Sequence, residues 1–270
     1  MKHILLSLAL VIGMQSFAQK EKKEKEKKAK DEKCLYKDAN FETDDYVVNI
    51  VDAVAMPDFS KFKMKVFNKT NDYLLIKTSE IGFSADGKTL TNKEKDFIVG
   101  PNDESSKVVD FKGVGMQVNS YVIELKGIYK ASAGGKILSA DNFDLPPSKN
   151  DFTAGGFNCT LKKHEAKTDK VVAKFECIYS GDVIGIINPN KSAAIMPNNT
   201  DNANAKKNKP MLLEKGQMED FVLQYNEVAG AGDLQKSAIK IKWNDTFRES
   251  KLMKLEAPKI TVIKNEEGKK

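Results

Sequence analysis

Histidine is almost missing from this 270-residue chain: His3 and His164 are the only two. His3 falls in a leader expected to be removed, so a single imidazole remains. That excludes a two-histidine zinc site, and nothing places a serine or thiol beside His164 for a catalytic triad. Tryptophan is limited to Trp243, in a strand pattern that reads as core, which argues against an exposed aromatic platform. Three cysteines, Cys34, Cys159 and Cys177, are too few for the disulfide framework of a small secreted domain. Phosphate loops are missing too, because Gly113-Val114-Gly115 and the 181–185 segment both lack a following Gly-Lys-Ser/Thr. With 40% hydrophobic and 30% charged residues, the chain is neither a polytopic membrane protein, a collagen-like repeat nor wholly disordered.

The N-terminal end is a targeting pattern. Lys2 supplies a positive start, residues 4–14 an apolar stretch, and Ser16-Phe17-Ala18 a small-x-small cleavage site. As a helix that stretch rises about 16 Å, too short for a hydrocarbon core of about 30 Å. A signal peptide is therefore expected over 1–18. The SFAQ ending, with Gln19 as the new N-terminus, resembles exported proteins of Bacteroidetes-type bacteria. A Lys/Glu-rich arm follows over 19–40. Its run KEKKEKEKKAKDEK (20–33) carries +3 of the formal net charge of +6, and residues 34–270 carry +2. The arm has nothing apolar to bury, so it reads as a solvated tether with an electrostatic reach toward membrane or envelope surface. No nucleic acid is expected as partner, since the arm lacks interleaved aromatics for stacking.

The body reads as short strands that are β-branched or aromatic and separated by Pro, Gly, Asn and Asp clusters. They lie at 46–51, 62–67, 73–76, 108–111 and 121–128. A second series follows at 157–161, 171–179, 183–187, 219–225, 239–243 and 259–263. Residues 251–256 are the one place where a helical turn is expected. Cys159 and Cys177 are equidistant from Thr168, so a hairpin centred there opposes Phe157 to Tyr179, Cys159 to Cys177 and Leu161 to Phe175 on one face. Shifting back by 111 residues centres a second hairpin on Pro57, opposing Tyr46 to Asn68, Val48 to Val66 and Ile50 to Met64. The shared hairpin centre and nearly constant shift indicate an internal duplication. The expected fold is all-β, as two tandem antiparallel Ig-like β-sandwich domains: the first over 41–135, a linker over 136–150, the second over 151–263 and a polar tail over 264–270. In strand count and spacing this resembles exported bacterial proteins built from tandem small Ig-like sandwiches.

Opposed Cys159 and Cys177 are candidates for a cross-strand disulfide, with two buried thiols as the alternative. Cys34, beside the arm, reads either as an unpaired thiol or as half of an intermolecular bridge. The Asn-rich stretch 188–208 is the most unusual segment of the body. Its Asn188, Asn190, Asn198, Asn199, Asp201 and Asn202 are the candidate contact residues of a loop at a sandwich end. It lacks the closing Glu of a calcium loop. No catalytic residue, metal ligand or cofactor is indicated. The expected function is non-catalytic: an accessory or scaffold subunit making protein–protein contact in the bacterial envelope, periplasmic or at the cell surface. A glycan- or lipid-binding module using the Asn-rich loop is the alternative. A paired-carboxylate hydrolase comes third, because 38 acidic residues give it no specificity.

Overall fold

The structure, a computed structural model, describes residues 33–266. The signal peptide expected over 1–18 lies outside the described residues, as does the arm up to residue 32. Within the described residues the regular elements are β-strands and two short 3-10 turns, Thr78–Glu80 and Pro189–Lys191. The chain is all-β, and its strands pair antiparallel.

Two hairpins form the outer layers. In Tyr46–Met56 and Phe59–Asn68, alternation sends Tyr46, Val48, Ile50, Phe62, Met64 and Val66 inward. Tyr46 opposes Asn68, Val48 opposes Val66 and Ile50 opposes Met64, as the sequence symmetry requires. Phe157–Lys167 and Lys170–Tyr179 repeat the arrangement, with Phe157 opposite Tyr179, Cys159 opposite Cys177 and Leu161 opposite Phe175. The polar exception, Asn68, is fully buried, and its amide donates to Asp72 O (2.7 Å) and Gly100 O (2.9 Å). Each hairpin gains a third strand, Glu104–Lys112 in the first half and Met218–Asn226 in the second.

A broken sheet faces each hairpin across a core. In the first half Tyr73–Ile76 and Ile81–Ala85 follow one path around the Thr78–Glu80 turn, beside Ile128–Ala131 and Ser120–Leu125. At the break Lys77 N donates to Gly127 O (2.8 Å), and a Cβ on Gly127 would lie 2.1 Å from Lys77 O, so only glycine fits. The second half breaks at the same place, where Asn188 N donates to Thr246 O (2.8 Å). Even side-chain brackets recur. The Asn92 amide donates to Thr78 O and accepts from Glu94 N, while the Asn204 amide donates to Pro189 O and accepts from Lys206 N. Thr78 and Pro189 are 111 residues apart, the shift found between the hairpins.

The pairing departs from two consecutive sandwiches. The expected linker contains strands Lys136–Ile137 and Phe143–Leu145, which pair with Phe247–Ser250 and Ile239–Lys242 of the second half. After Ser250 the chain crosses back. Leu252–Lys254 pairs with Ile128–Ala131, and Lys259–Ile263 pairs with Ser120–Leu125. The stretch 252–263 therefore completes the first half, not the second, and 251–256 holds a strand where one helical turn was expected. Phe143 and Leu145 fill one core, and Ile260 and Val262 fill the other. Each half thus ends in a strand pair that closes the other half's sheets.

The two broken sheets also pack on each other. Tyr73, Leu75 and Ala131 from the first half meet Ile184, Ile186 and Leu212 from the second in a third apolar cluster. This explains why YLLI (73–76) and IGII (184–187) are buried at every position, without alternation. The Lys77–Glu214 ion pair borders this interface.

Candidate functional site

The structure places the Asn-rich segment along the edge of strand Met218–Asn226. Asn188 caps the Pro189–Lys191 turn by accepting from Asn190 N (3.3 Å). Asn190 and Asn208 exchange two bonds, Asn190 Nδ2 to Asn208 O (2.7 Å) and Asn208 N to Asn190 Oδ1 (2.9 Å). Asn198 accepts from Thr200 N and donates to Ala229 O (2.9 Å). Asn199 takes the left-handed turn conformation at φ 62°. Asp201 pairs with Lys242 (2.6 Å), and Asn202 Nδ2 donates to Asn226 O (2.6 Å). The six candidate residues therefore belong to one braced segment, but their contacts run to its own turns, to the Ala229 and Asn226 carbonyls and to Lys242, and do not converge on a common point.

That bracing covers a sheet edge. Asn208 Nδ2 donates to Val222 O (3.1 Å), Ala205 N donates to Gln224 O (2.8 Å), and Gln224 N donates to Asn204 Oδ1 (3.0 Å). Together with the Asn202 bond, these satisfy main-chain groups that an edge strand otherwise leaves open to another chain. Asn204 and Asn208, which do this, lie outside the candidate set. Asparagine clusters signal turns in a sequence, and edge capping has no separate signature.

The corresponding edge of the first half is bare. Glu104–Lys112 ends its sheet, with nine residues and no strand beyond it. Asn68 N donating to Asp103 O (2.9 Å) and Gly113 N donating to Asp58 O (2.9 Å) fix the parity. Odd-numbered residues bond to Phe59–Asn68, so the N–H and C=O groups of Ser106, Val108 and Asp110 point outward. Among the described residues nothing pairs with them. The connection that would cover them is shorter than its counterpart: 92–96 here against 204–210 in the second half. The Val108 side chain is 53% exposed at the centre of this edge, and Asp110 Oδ1 is buried without a hydrogen-bond partner. A cleft of 580 Å³ borders the edge at Glu104–Ser106, with Lys209 and Pro210 on its far side.

The sheet face beside this edge is basic. Lys61, Lys63 and Lys65 project from alternate positions of one strand, and none forms an ion pair among the described residues. The second half neutralises the equivalent face through Lys174–Asp220 and Lys162–Glu176.

The other candidate residues are structural. Cys159 and Cys177 are joined by a disulfide, and Cys34 is a half-buried free thiol. His164 sits on strand Phe157–Lys167, where burial lowers its pKa, and no hydrogen bond ties it to a serine or thiol among the described residues. Trp243 is buried and stacks on Phe152 at 4.5 Å. Burial also pushes Tyr36 and Tyr46 up to about 12, and their hydroxyls donate to Val118 O and Glu256 O. A second cleft, of 540 Å³, lies between the halves and is lined by Asn92, Lys93, Asp96, Leu212, Glu214 and Glu219. Among the described residues, no helix is long and apolar enough to cross a membrane.

No protein-family model and no curated protein matches the chain. Among solved structures, the crystal structure of the yjhA protein from Bacillus subtilis aligns with 39% of this chain and 96% of its own, at 15% identity and a TM-score of 0.25.

Proposed function

We propose that the chain is an exported, non-catalytic protein that makes protein–protein contact in the bacterial envelope, and that the contact is strand addition at Glu104–Lys112. The observation that carries this reading is the contrast between two equivalent edges in one molecule. The second edge is capped by three asparagine side chains and a main-chain N–H, whereas the first presents the outward main-chain groups of three central residues with an exposed valine among them. An uncapped edge is a liability unless something pairs with it. Export rests on the leader pattern at 1–18. The non-catalytic reading rests on the shortage of histidine and on the engagement of the candidate polar residues within the fold. The glycan alternative draws little support, because Trp243 is core and the Asn-rich segment spends amides on main-chain atoms of its own turns and of the neighbouring strand.

The test is cross-linking in the native envelope with an amine-reactive reagent, followed by purification of a C-terminally tagged copy and peptide mapping. Cross-links should concentrate on Lys107 and Lys112 and disappear in Val108→Pro. That substitution removes an outward N–H and leaves the inward ladder intact. Stoichiometric partners cross-linked elsewhere, and retained by Val108→Pro, would contradict the reading.

A further inference from the structure

The geometry points to a second copy of this chain as the occupant of the open edge. The two strands would pair antiparallel about a two-fold axis through Val108. This rests on the contact reading above and adds the partner's identity and register. The outward residues of the strand are Glu104, Ser106, Val108, Asp110 and Lys112, and their burial alternates accordingly with that of Val109 and Phe111. In a two-fold pairing centred on Val108, each residue meets the one whose number completes the same sum. Glu104 then faces the second copy's Lys112, Ser106 faces Asp110, and Val108 faces Val108.

Each of these three outward pairings is complementary. The two Glu104–Lys112 pairs are of opposite charge. Among the described residues Glu104 and Lys112 form no ion pair within the chain, so both are free to make one across the seam. Ser106 offers a hydroxyl opposite the Asp110 carboxylate. Val108, the most exposed apolar side chain on this edge, would be covered by its own copy. Main-chain N–H and C=O groups of all the outward residues fall into hydrogen-bonded pairs, because in an antiparallel ladder such pairs recur at every second residue. Shifting the register by two residues breaks this pattern: Glu104 then faces Asp110, or Lys112 faces Ser106, and Val108 no longer faces Val108.

The basic face does not oppose such a pair. The lysine rows of the two copies would be separated by three strand spacings of about 4.8 Å each, roughly 14 Å. That exceeds the screening length of about 8 Å at physiological ionic strength. Direct stacking of two such faces would bring the lysine rows together, so the charge pattern favours side-by-side pairing.

The test is sedimentation equilibrium of the purified chain over a dilution series, with charge reversals at the seam. The chain should dimerise reversibly. Glu104→Lys and Lys112→Glu should each weaken the dimer roughly ten- to thirtyfold, since each turns two attractive cross-strand pairs into repulsive ones. The double variant E104K/K112E should recover dimerisation, and so should an equimolar mixture of the two single variants, as a heterodimer. Both positions are exposed, so the variants fold whether or not Val108→Pro does. A dimer indifferent to either reversal would overturn the proposed interface. A monomer at every concentration would overturn self-pairing; if envelope cross-links still ran through Lys107 and Lys112, the contact reading would stand with a different partner.

Discussion

Ending the chain after Glu256 removes strand Lys259–Ile263 and should unfold the first half while sparing the second at the outset. The strand seats Ile260 and Val262 at 4% and 0% exposure against Ile123 and Tyr121. Full burial of one such side chain contributes about 1.5–3 kcal/mol, so the pair supplies about 3–6 kcal/mol. Losing it also bares the Ser120–Leu125 edge and Tyr121 beneath it. Against a stability of about 5–15 kcal/mol for an entire protein, that loss is large. Limited proteolysis with mass spectrometry reads where the chain opens, and Trp243 fluorescence reports on the second half alone, since it packs against Phe152, Phe175 and Phe247. Early cuts should fall within 34–131, at protease levels that leave Trp243 emission unchanged. Early cuts within 151–250 with a shifted Trp243 spectrum would show that 259–263 closes the second half, and would refute the exchanged pairing.

Three further outcomes follow from the same packing. Reducing the Cys159–Cys177 bond, whose partners are 18 residues apart, should lower stability by about 3 kcal/mol on chain-entropy grounds, read as a drop in Tm with dithiothreitol; an unchanged Tm would contradict it. Phe175→Ala should cost about 3–5 kcal/mol in urea denaturation, because Phe175 is fully buried among Phe143, Phe152, Phe221 and Trp243. Hydrogen bonds from Lys126 and Lys259 hold the Glu124 carboxyl at about 2, below its ordinary 4.5. A depressed carboxyl stabilises the fold above its unfolded pKa and loses that contribution as pH falls through the folded one. The stability gap between the native chain and Glu124→Gln should therefore close as pH drops from about 4.5 to about 2; a gap that persists at the acid end would contradict it.

Local pairing was legible in the sequence, and long-range pairing was not. A hairpin joins residues close in sequence around one centre, so the symmetry of Cys159 and Cys177 about Thr168 was enough to set its register, and the shift of 111 carried that register to Tyr46–Met56 and Phe59–Asn68. The strands that close the two halves are short, and they pair with partners more than ninety residues away. Leu252–Lys254, next to charged residues, reads as well as a helical turn as it does as an edge strand. Phe143–Leu145, between Asn142 and two prolines, reads as a linker. The Asn-rich segment was legible as unusual, but its role depends on which main-chain atoms lie within reach. Asn204 and Asn208 became conspicuous only once Val222 and Gln224 were seen to end a sheet. The open edge at Glu104–Lys112 was equally hidden, because ESSKVVDFK carries charges and serines that lower its strand signal at both ends.

The central claim is that strand Glu104–Lys112 is the surface to which another chain adds. Amide-resolved hydrogen exchange tests it most directly, on the isolated dilute chain and on the same chain in its associated state. The outward amides of Ser106, Val108 and Asp110 should exchange fast when the chain is alone and become protected on association. Gln224, already bonded to Asn204, should be protected in both states. Fast exchange of Ser106, Val108 and Asp110 in both states, with new protection elsewhere, would contradict the account.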